Sequence, residues 1–323
     1  MKIINWGILG CGSVTEVKSG PAFQQVSGFK LMAVMRRDYD KAKDYAHRHA
    51  VPKFYTDADA LIQDPDIDAI YIATPPDSHC YYALKVAAAS KICCIEKPMA
   101  PSYAECVTIN TAFDKKKLPL FVSYYRRSLP KFNTLKSWIQ TQKIGQIRHI
   151  HWTFSKPSNT IDNSREYNWR TDINIAYGGY FDDLASHGLD LFIYLLGDIK
   201  EANGVSSNQQ NLYTSMDSVA ASWLHKSGIT GSGHWNFGSE RRRDEVQIFG
   251  KEGNIKCSVF GDAPICIEEN SESKELSIEN PKTIQIYHVQ NMKDDLYGVA
   301  KHPSTGKSAA HTSWVLDQIL KKN

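Results

Sequence analysis

No apolar run in this chain approaches the roughly 20 residues that a membrane-spanning helix requires. The start, residues 1–6, also lacks the charged segment, long apolar stretch and small-residue cleavage site of an export signal. A cytoplasmic protein with no membrane partner is expected. Cysteine is scarce and odd in number. The seven (Cys11, Cys80, Cys93, Cys94, Cys106, Cys257, Cys266) sit mostly in apolar stretches and never at a Cys-x-x-Cys spacing, which argues against a disulfide framework or a zinc site. His149 and His151 share a strand face without a third ligand in view, and His47 and His49 do not share a helical face, so no metal is expected. Concentrated positive charge is missing too. The net charge is +3, and the densest basic run, Arg241-Arg242-Arg243, is answered at once by Asp244 and Glu245, which excludes nucleic acid as an expected partner. There is no internal repeat and no low-complexity tract.

What is present is an ordinary globular composition, 42% hydrophobic and 23% charged, in 323 residues, enough for two domains with their own cores. Up to about residue 122, short apolar runs alternate with longer amphipathic ones. Strands are predicted over 3–9, 31–35, 69–73, 91–95 and 120–122, and helices after Ser13 and over 39–49, 58–63, 79–89 and 103–116. That alternation predicts a doubly wound, parallel sheet of the Rossmann type over residues 1–123.

Between the first strand and the first helix stands Gly10-Cys11-Gly12-Ser13-Val14-Thr15. It follows the dinucleotide fingerprint Gly-x-Gly-x-x-Gly/Ala in its first two positions, with Thr15 in the third. The first glycine permits the tight turn, and the second lets a pyrophosphate approach backbone donors. The end of the second strand ordinarily distinguishes the two nicotinamide cofactors. Here Arg36 and Arg37 come first and Asp38 one step later, so guanidiniums are placed to meet a 2′-phosphate and NADP(H) is preferred. NAD(H) stays possible, because Asp38 could receive the ribose hydroxyls, as well as cap the next helix or pair with an arginine.

Lys97, in Ile95-Glu96-Lys97-Pro98 at the end of an apolar strand, has no packing duty that leucine would not perform better. The proline biases it toward extended geometry and allows a cis bond, so the ammonium is aimed. Taken alone it could equally be a surface lysine in a strand-to-helix turn.

After residue 146 the pattern changes to long alternating segments at 147–154, 201–206, 219–225, 231–237, 245–249 and 284–289, which predicts a mostly antiparallel sheet with one covered face. A last helix is predicted over 308–321. Gly178-Gly179 precede Asp183 and His187, which are four apart and so share a helical face that Asp190 continues. A histidine beside a carboxylate can exchange a proton near neutrality, although the pair alone would also suit a solvated helical ion pair.

The glycine loop, Ala73-Thr74-Pro75-Pro76-Asp77-Ser78-His79, Glu96-Lys97-Pro98, Tyr124-Tyr125-Arg126-Arg127 and the run from Gly178 to His187 occur in one order. In this combination the chain resembles the Gfo/Idh/MocA family, over essentially its whole length. The resemblance implies an α/β fold: the Rossmann domain followed by a C-terminal α+β domain, residues 124–323, with a large, mostly antiparallel open sheet. That sheet is expected to hold substrate and to join a homodimer or homotetramer, and the helix 308–321 is expected to return to the Rossmann side. It further implies cofactor contacts from Gly10, Gly12, Ser13, Val14, Thr15, Arg36, Arg37, Thr74, Pro75, His79, Glu96, Lys97 and Arg126. His187 becomes the proton-transfer residue, Lys97 the holder of the same oxygen, and Asp183 the group that orients the neighbouring hydroxyl. Tyr125, Trp169 and Arg170 are candidate substrate contacts, with packing roles equally open to them. Two departures stand out: two glycines where the family often has three before the catalytic helix, and Thr15 in place of a small third residue, which is expected to loosen helix packing slightly.

The expected activity is hydride transfer between NADP(H) or NAD(H) and a sugar, cyclitol or related polyhydroxylated compound. A glycosidase that uses NAD transiently and a non-catalytic sugar or nucleotide sensor are the competing functions. Retention of Lys97, Asp183 and His187 disfavours the sensor.

Overall fold

The computed structural model describes residues 2–269 and 272–322. The chain divides into two compact units, one formed by the residues up to Ser128 with Pro281–Ala310, the other by Leu129–Asn280 with the residues from His311 on. This division differs from the sequence expectation in two ways. Residues 281–310 join the first unit, and the final helix, Gly306–Leu320, is shared, with its larger part assigned to the second.

In the first unit, strands β1 (Ile4–Leu9), β2 (Phe29–Met35), β3 (Lys53–Tyr55), β4 (Ala69–Ile72), β5 (Ile92–Ile95) and β6 (Leu120–Val122) form one sheet in the order β3-β2-β1-β4-β5-β6. Every pair is parallel. The strands are buried on both faces because successive side chains point to opposite sides. Ile70 and Ile72 enter one core with Ile95 and Val122, whereas Ala69 and Tyr71 enter the other with Trp6 and Ile8. Helices α1 (Ser13–Val17), α2 (Gly20–Gln25), α3 (Tyr39–Arg48), α4 (Ala58–Gln63), α5 (His79–Ala88) and α6 (Tyr103–Lys116) make the crossovers. Side-chain caps start three of them: Asp38 accepts from the Lys41 amide, Asp57 from Asp59 and Ser102 from Glu105.

The segment 284–289, expected as a strand, is instead the start of a helix, Ile286–Leu296. Its Val289 and Met292 complete the core that holds Trp6, Ile8 and Tyr71. A strand there would leave that core uncovered, and burying each such side chain contributes about 1.5–3 kcal/mol.

The second unit carries eight strands: β7 (Ile147–Ser155), β8 (Ile199–Ser207), β9 (Ser218–His225), β10 (Thr230–Asn236), β11 (Arg243–Gly250), β12 (Gly253–Cys257), β13 (Ile265–Glu269) and β14 (Glu272–Leu276). Their order is β14-β13-β12-β11-β7-β10-β9-β8, antiparallel throughout except for the parallel pair of β7 and β10. Trp152, Phe154 and Trp235 are buried on the covered face, where Trp152 meets Phe192 and Trp235 meets Phe181 edge to face. The last two aromatics belong to the segment that carries Asp183 and His187.

Candidate functional site

Three of the predicted motifs in the first unit stand at the carboxyl ends of adjacent parallel strands. The glycine loop follows β1, Thr74 follows β4 and Lys97 follows β5. The strand order reverses between β1 and β4, and ligands of open α/β sheets bind in the crevice outside such a point. Gly10 has φ +86°, and a β-carbon there would lie 2.8 Å from Thr74 Cγ2, so glycine is required by both conformation and space. Gly12 differs. Its φ is −145°, open to any residue, and a β-carbon would come no nearer to a neighbouring atom than 3.8 Å. The protein itself leaves the space over Gly12 open, as a loop that receives a phosphate against its backbone must. The residues therefore fit a dinucleotide.

Thr15 bridges the loop. Buried and part of α1, it accepts from the Gly12 amide at 3.0 Å and donates to the Gly12 carbonyl at 2.8 Å, so the hydroxyl closes the turn that the family's small residue leaves unbridged. Arg36 donates to the Cys11 carbonyl at 3.3 Å, which ties the end of β2 to the same loop, while Arg37 is exposed. Asp38 caps α3 and pairs with Lys41 at 3.0 Å. Ser78 donates to Thr74 Oγ1 at 2.7 Å, next to Pro75. His79 is fully buried, with one ring nitrogen 2.8 Å from the Thr74 carbonyl and the other 3.0 Å from that of Pro98. Burial holds its pKa below the usual histidine value, and the ring bridges two of the motifs.

Of residues 93–100, Lys97 is the one that is not buried, and its bond to Pro98 is cis. Its orientation is set by a network that no short motif reveals. Glu96, buried, accepts the Lys97 amide on one oxygen at 3.1 Å. The other oxygen accepts from Tyr71 of β4 and, at 3.2 Å, from Gln285, the N-cap of the helix Ile286–Leu296. Burial and the adjacent carboxylate push the Tyr71 phenol far above its ordinary range, so it remains a donor. After β6, Tyr125 and Arg126 are both buried in a short 3₁₀ turn with the guanidinium 4.9 Å from the ring centre.

In the second unit the helix of Asp183 and His187 is not uniform. Phe181–Ala185 form a π-helical turn, and the α-helix proper begins at Ser186 and runs to Leu196. The wider turn alters the expected four-residue face, and such turns recur at functional sites. Asp190, one turn after His187 in the α-helix, is buried and accepts from Thr312 at 3.0 Å. His187, 6% exposed, meets the edge of Phe260. Asp183 lies 3.4 Å from Arg170 Nε, and Arg170 in turn stacks 4.3 Å from the Trp169 ring.

Gly178 and Gly179 are glycines that the packing of the protein itself requires. Gly179 has φ +58° and faces Ser215, and a β-carbon on Gly178 would fall 2.6 Å from Leu320. Both spaces are filled by protein. Sequence reasoning also missed the residues that hold the loop of Trp169 and Arg170. Tyr180 donates to Asp162 at 2.6 Å, and Asn168 donates to both while capping the turn that carries Arg170. Lys156 joins through Asn159 and lies 4.5 Å from the Tyr180 ring centre. The one signal in the sequence was the density of Asn and Asp between 159 and 172.

A dinucleotide cradle at a topological switch point, a lysine at the neighbouring strand end and a second unit built on a large open sheet are the parts of a nicotinamide-dependent oxidoreductase. The sequence profile of the oxidoreductase family with an NAD-binding Rossmann fold matches residues 4–124, and that of the GFO/IDH/MocA C-terminal domain matches residues 132–256. Oxidoreductase P35 of Formosa agariphila is 36% identical over 97% of this chain and 97% of its own. Levoglucosan dehydrogenase of Pseudarthrobacter phenanthrenivorans is 31% identical over 51% of this chain and 42% of its own. A solved structure of levoglucosan dehydrogenase in complex with NADH superposes with TM-score 0.90 at 20% identity, covering 99% of this chain and 96% of the other. The chain belongs to the Gfo/Idh/MocA oxidoreductase family. It is an NAD-binding oxidoreductase.

Proposed function

We propose that this protein transfers a hydride between NADP(H), in preference to NAD(H), and a sugar, cyclitol or related polyhydroxylated substrate. The observation that carries the reading is the open space over Gly12 beside an aimed lysine, with Arg36 tied to the same loop. Asp38 is already committed to capping α3 and to Lys41, which leaves the arginines as the groups that meet the adenine ribose. The NADH bound by levoglucosan dehydrogenase is the counter-example that makes the preference worth measuring. Bound nicotinamide supplies or accepts the hydride. His187 takes or returns the hydroxyl proton, Lys97 holds the same oxygen, and Asp183, paired with Arg170, orients the adjacent hydroxyl. Tyr125, Trp169 and Arg170 contact the sugar, and Glu96 fixes the lysine's backbone.

The protein works in the cytoplasm as a homodimer or homotetramer joined through the second unit's sheet. The mostly buried cysteines, in apolar surroundings, agree with a reducing compartment. On the sheet, His149, His151 and Ser232 make a continuous hydrogen-bonded polar row between β7 and β10, suited to a partner surface.

Fluorescence titration with NADPH and NADH, followed by oxidation assays on levoglucosan, myo-inositol, D-glucose and L-sorbose, tests the assignment. NADPH should bind more tightly. Equal or tighter NADH binding would overturn the arginine argument, and product formed without net cofactor change would establish the glycosidase instead.

A further inference from the structure

We propose that Lys322 is a positioning residue for the reaction: by neutralising Asp182 it holds the Gly178–Gly179 turn and the π-helical segment that presents Asp183 and, one turn later, His187. This rests on the reading of Asp183 and His187 as reacting groups.

Lys322 Nζ lies 3.1 and 3.0 Å from the two carboxylate oxygens of Asp182, and 3.8 Å from Asp317. The side chains of Lys322 and Asp182 are 13% and 9% exposed, so this is an ion pair largely withdrawn from water. One of the same Asp182 oxygens accepts the Gly178 amide at 2.9 Å. Asp182 thus clasps the turn that leads into the π segment, and Lys322 holds Asp182. Packing closes the arrangement, because Leu320 fills the space where Gly178 would have a β-carbon.

Asp182 and Asp183 are consecutive carboxylates, each with its own cation. Lys322 answers Asp182, and Arg170, 41% exposed, answers Asp183 from a different segment. Removing one partner of a buried pair leaves a charge that must be neutralised or resolvated, and the group moves to do so. At Asp182 that movement would release the turn and rotate the following residues. The wider π turn stores the alternative of an ordinary α-helical turn, in which Asp183 would face elsewhere. Lys322, two residues past the last helix and far in sequence from any motif, therefore sets the aim of the proton-transfer segment.

The test compares Lys322→Met, Lys322→Arg and Asp182→Asn. It uses amide hydrogen exchange of peptides covering 177–189, NADPH and NADH titration, and turnover of levoglucosan or, if faster, another member of the substrate panel. Lys322→Met should raise exchange in 177–189 and lower kcat about tenfold or more, with cofactor affinity unchanged. Lys322→Arg should restore both. Should Lys322→Met not fold, Asp182→Asn, which keeps an acceptor for the Gly178 amide but removes the charge, is expected to show the same local signature. Wild-type kcat and exchange in Lys322→Met would overturn the proposal. So would exchange rising evenly through the second unit, or a loss that arginine does not restore. Asp183→Ala and His187→Ala are run alongside. If they lose turnover while Lys322→Met keeps it, the positioning role alone fails; if they keep it, the reading of those two residues fails and this role with it.

Discussion

The two kinds of glycine in this chain show how little a residue letter says by itself. Gly12 has ordinary backbone angles and open space, whereas Gly188, next to His187, has neither slack nor ligand: a β-carbon there would lie 2.2 Å from the Trp152 ring. Gly188→Ala should therefore destabilise the second unit by about 1–3 kcal/mol or more through overpacking, read as a lower chemical-denaturation midpoint. Gly12→Ala is expected to leave stability close to wild type and to weaken NADPH and NADH in fluorescence titration. Lys97 makes the complementary case. Its neighbours through Ala100 are buried and its amide is fixed by Glu96, so Lys97→Ala should cost turnover about 10²-fold or more while cofactor affinity stays nearly intact. Unchanged turnover would remove Lys97 from the reaction.

Among the elements, the parallel strands were legible because burial on both faces writes them as continuous apolar runs: β4 and β5 are Ala-Ile-Tyr-Ile and Ile-Cys-Cys-Ile. α4, α6 and β6 begin and end at the residues the pattern predicts. β14, Glu-Ser-Lys-Glu-Leu, is exposed at every position, so it had no period to read. The helix Ile286–Leu296 opens with Ile-Tyr-His-Val, a β-branched and aromatic run that imitates a strand, and only the core it covers decides otherwise. In the candidate site the reacting types were visible in the sequence, but their supports were not. Gln285 reaches Glu96 across 189 positions and Lys322 reaches Asp182 across 140, and no local spacing encodes such pairs. The π turn is invisible for a related reason: the partners of its Asp182, Gly178 and Lys322, lie outside it, and Phe-Asp-Asp-Leu-Ala itself carries no signal for the wider turn.

For the whole molecule, one source of acid sensitivity should lie in the first unit. His288 and His302 pack edge to face and are both buried, His302 with its pKa pushed down to about 4 and His288 displaced in the same direction, in each case chiefly by burial. His302 Nδ1 lies 2.9 Å from the Ser304 amide nitrogen and 2.8 Å from the Ser304 carbonyl, and Nε2 lies 3.2 Å from the His288 carbonyl, so the buried ring is held by backbone on both sides. In an unfolded chain these rings titrate near 6.5. The unfolded state therefore takes up protons that the folded state refuses, and stability is fully present above pH ~6.5 and lost as pH falls through about 4. Denaturation midpoints measured from pH 7 to pH 4 should fall accordingly. His302→Gln, which keeps a donor and an acceptor, should flatten the slope, and an unchanged slope would place the sensitivity elsewhere.

The return of residues 281–310 to the first unit has a consequence for how the protein is made. When a ribosome has released the first 128 residues, the six strands are present, but the helix that covers Trp6 and Tyr71 and the glutamine that steadies Glu96 are about 150 residues from synthesis. The nucleotide-binding half is thus the first to begin folding and among the last to finish. A chain stopped at residue 280 should bind cofactor poorly and aggregate, even though it contains every cofactor motif.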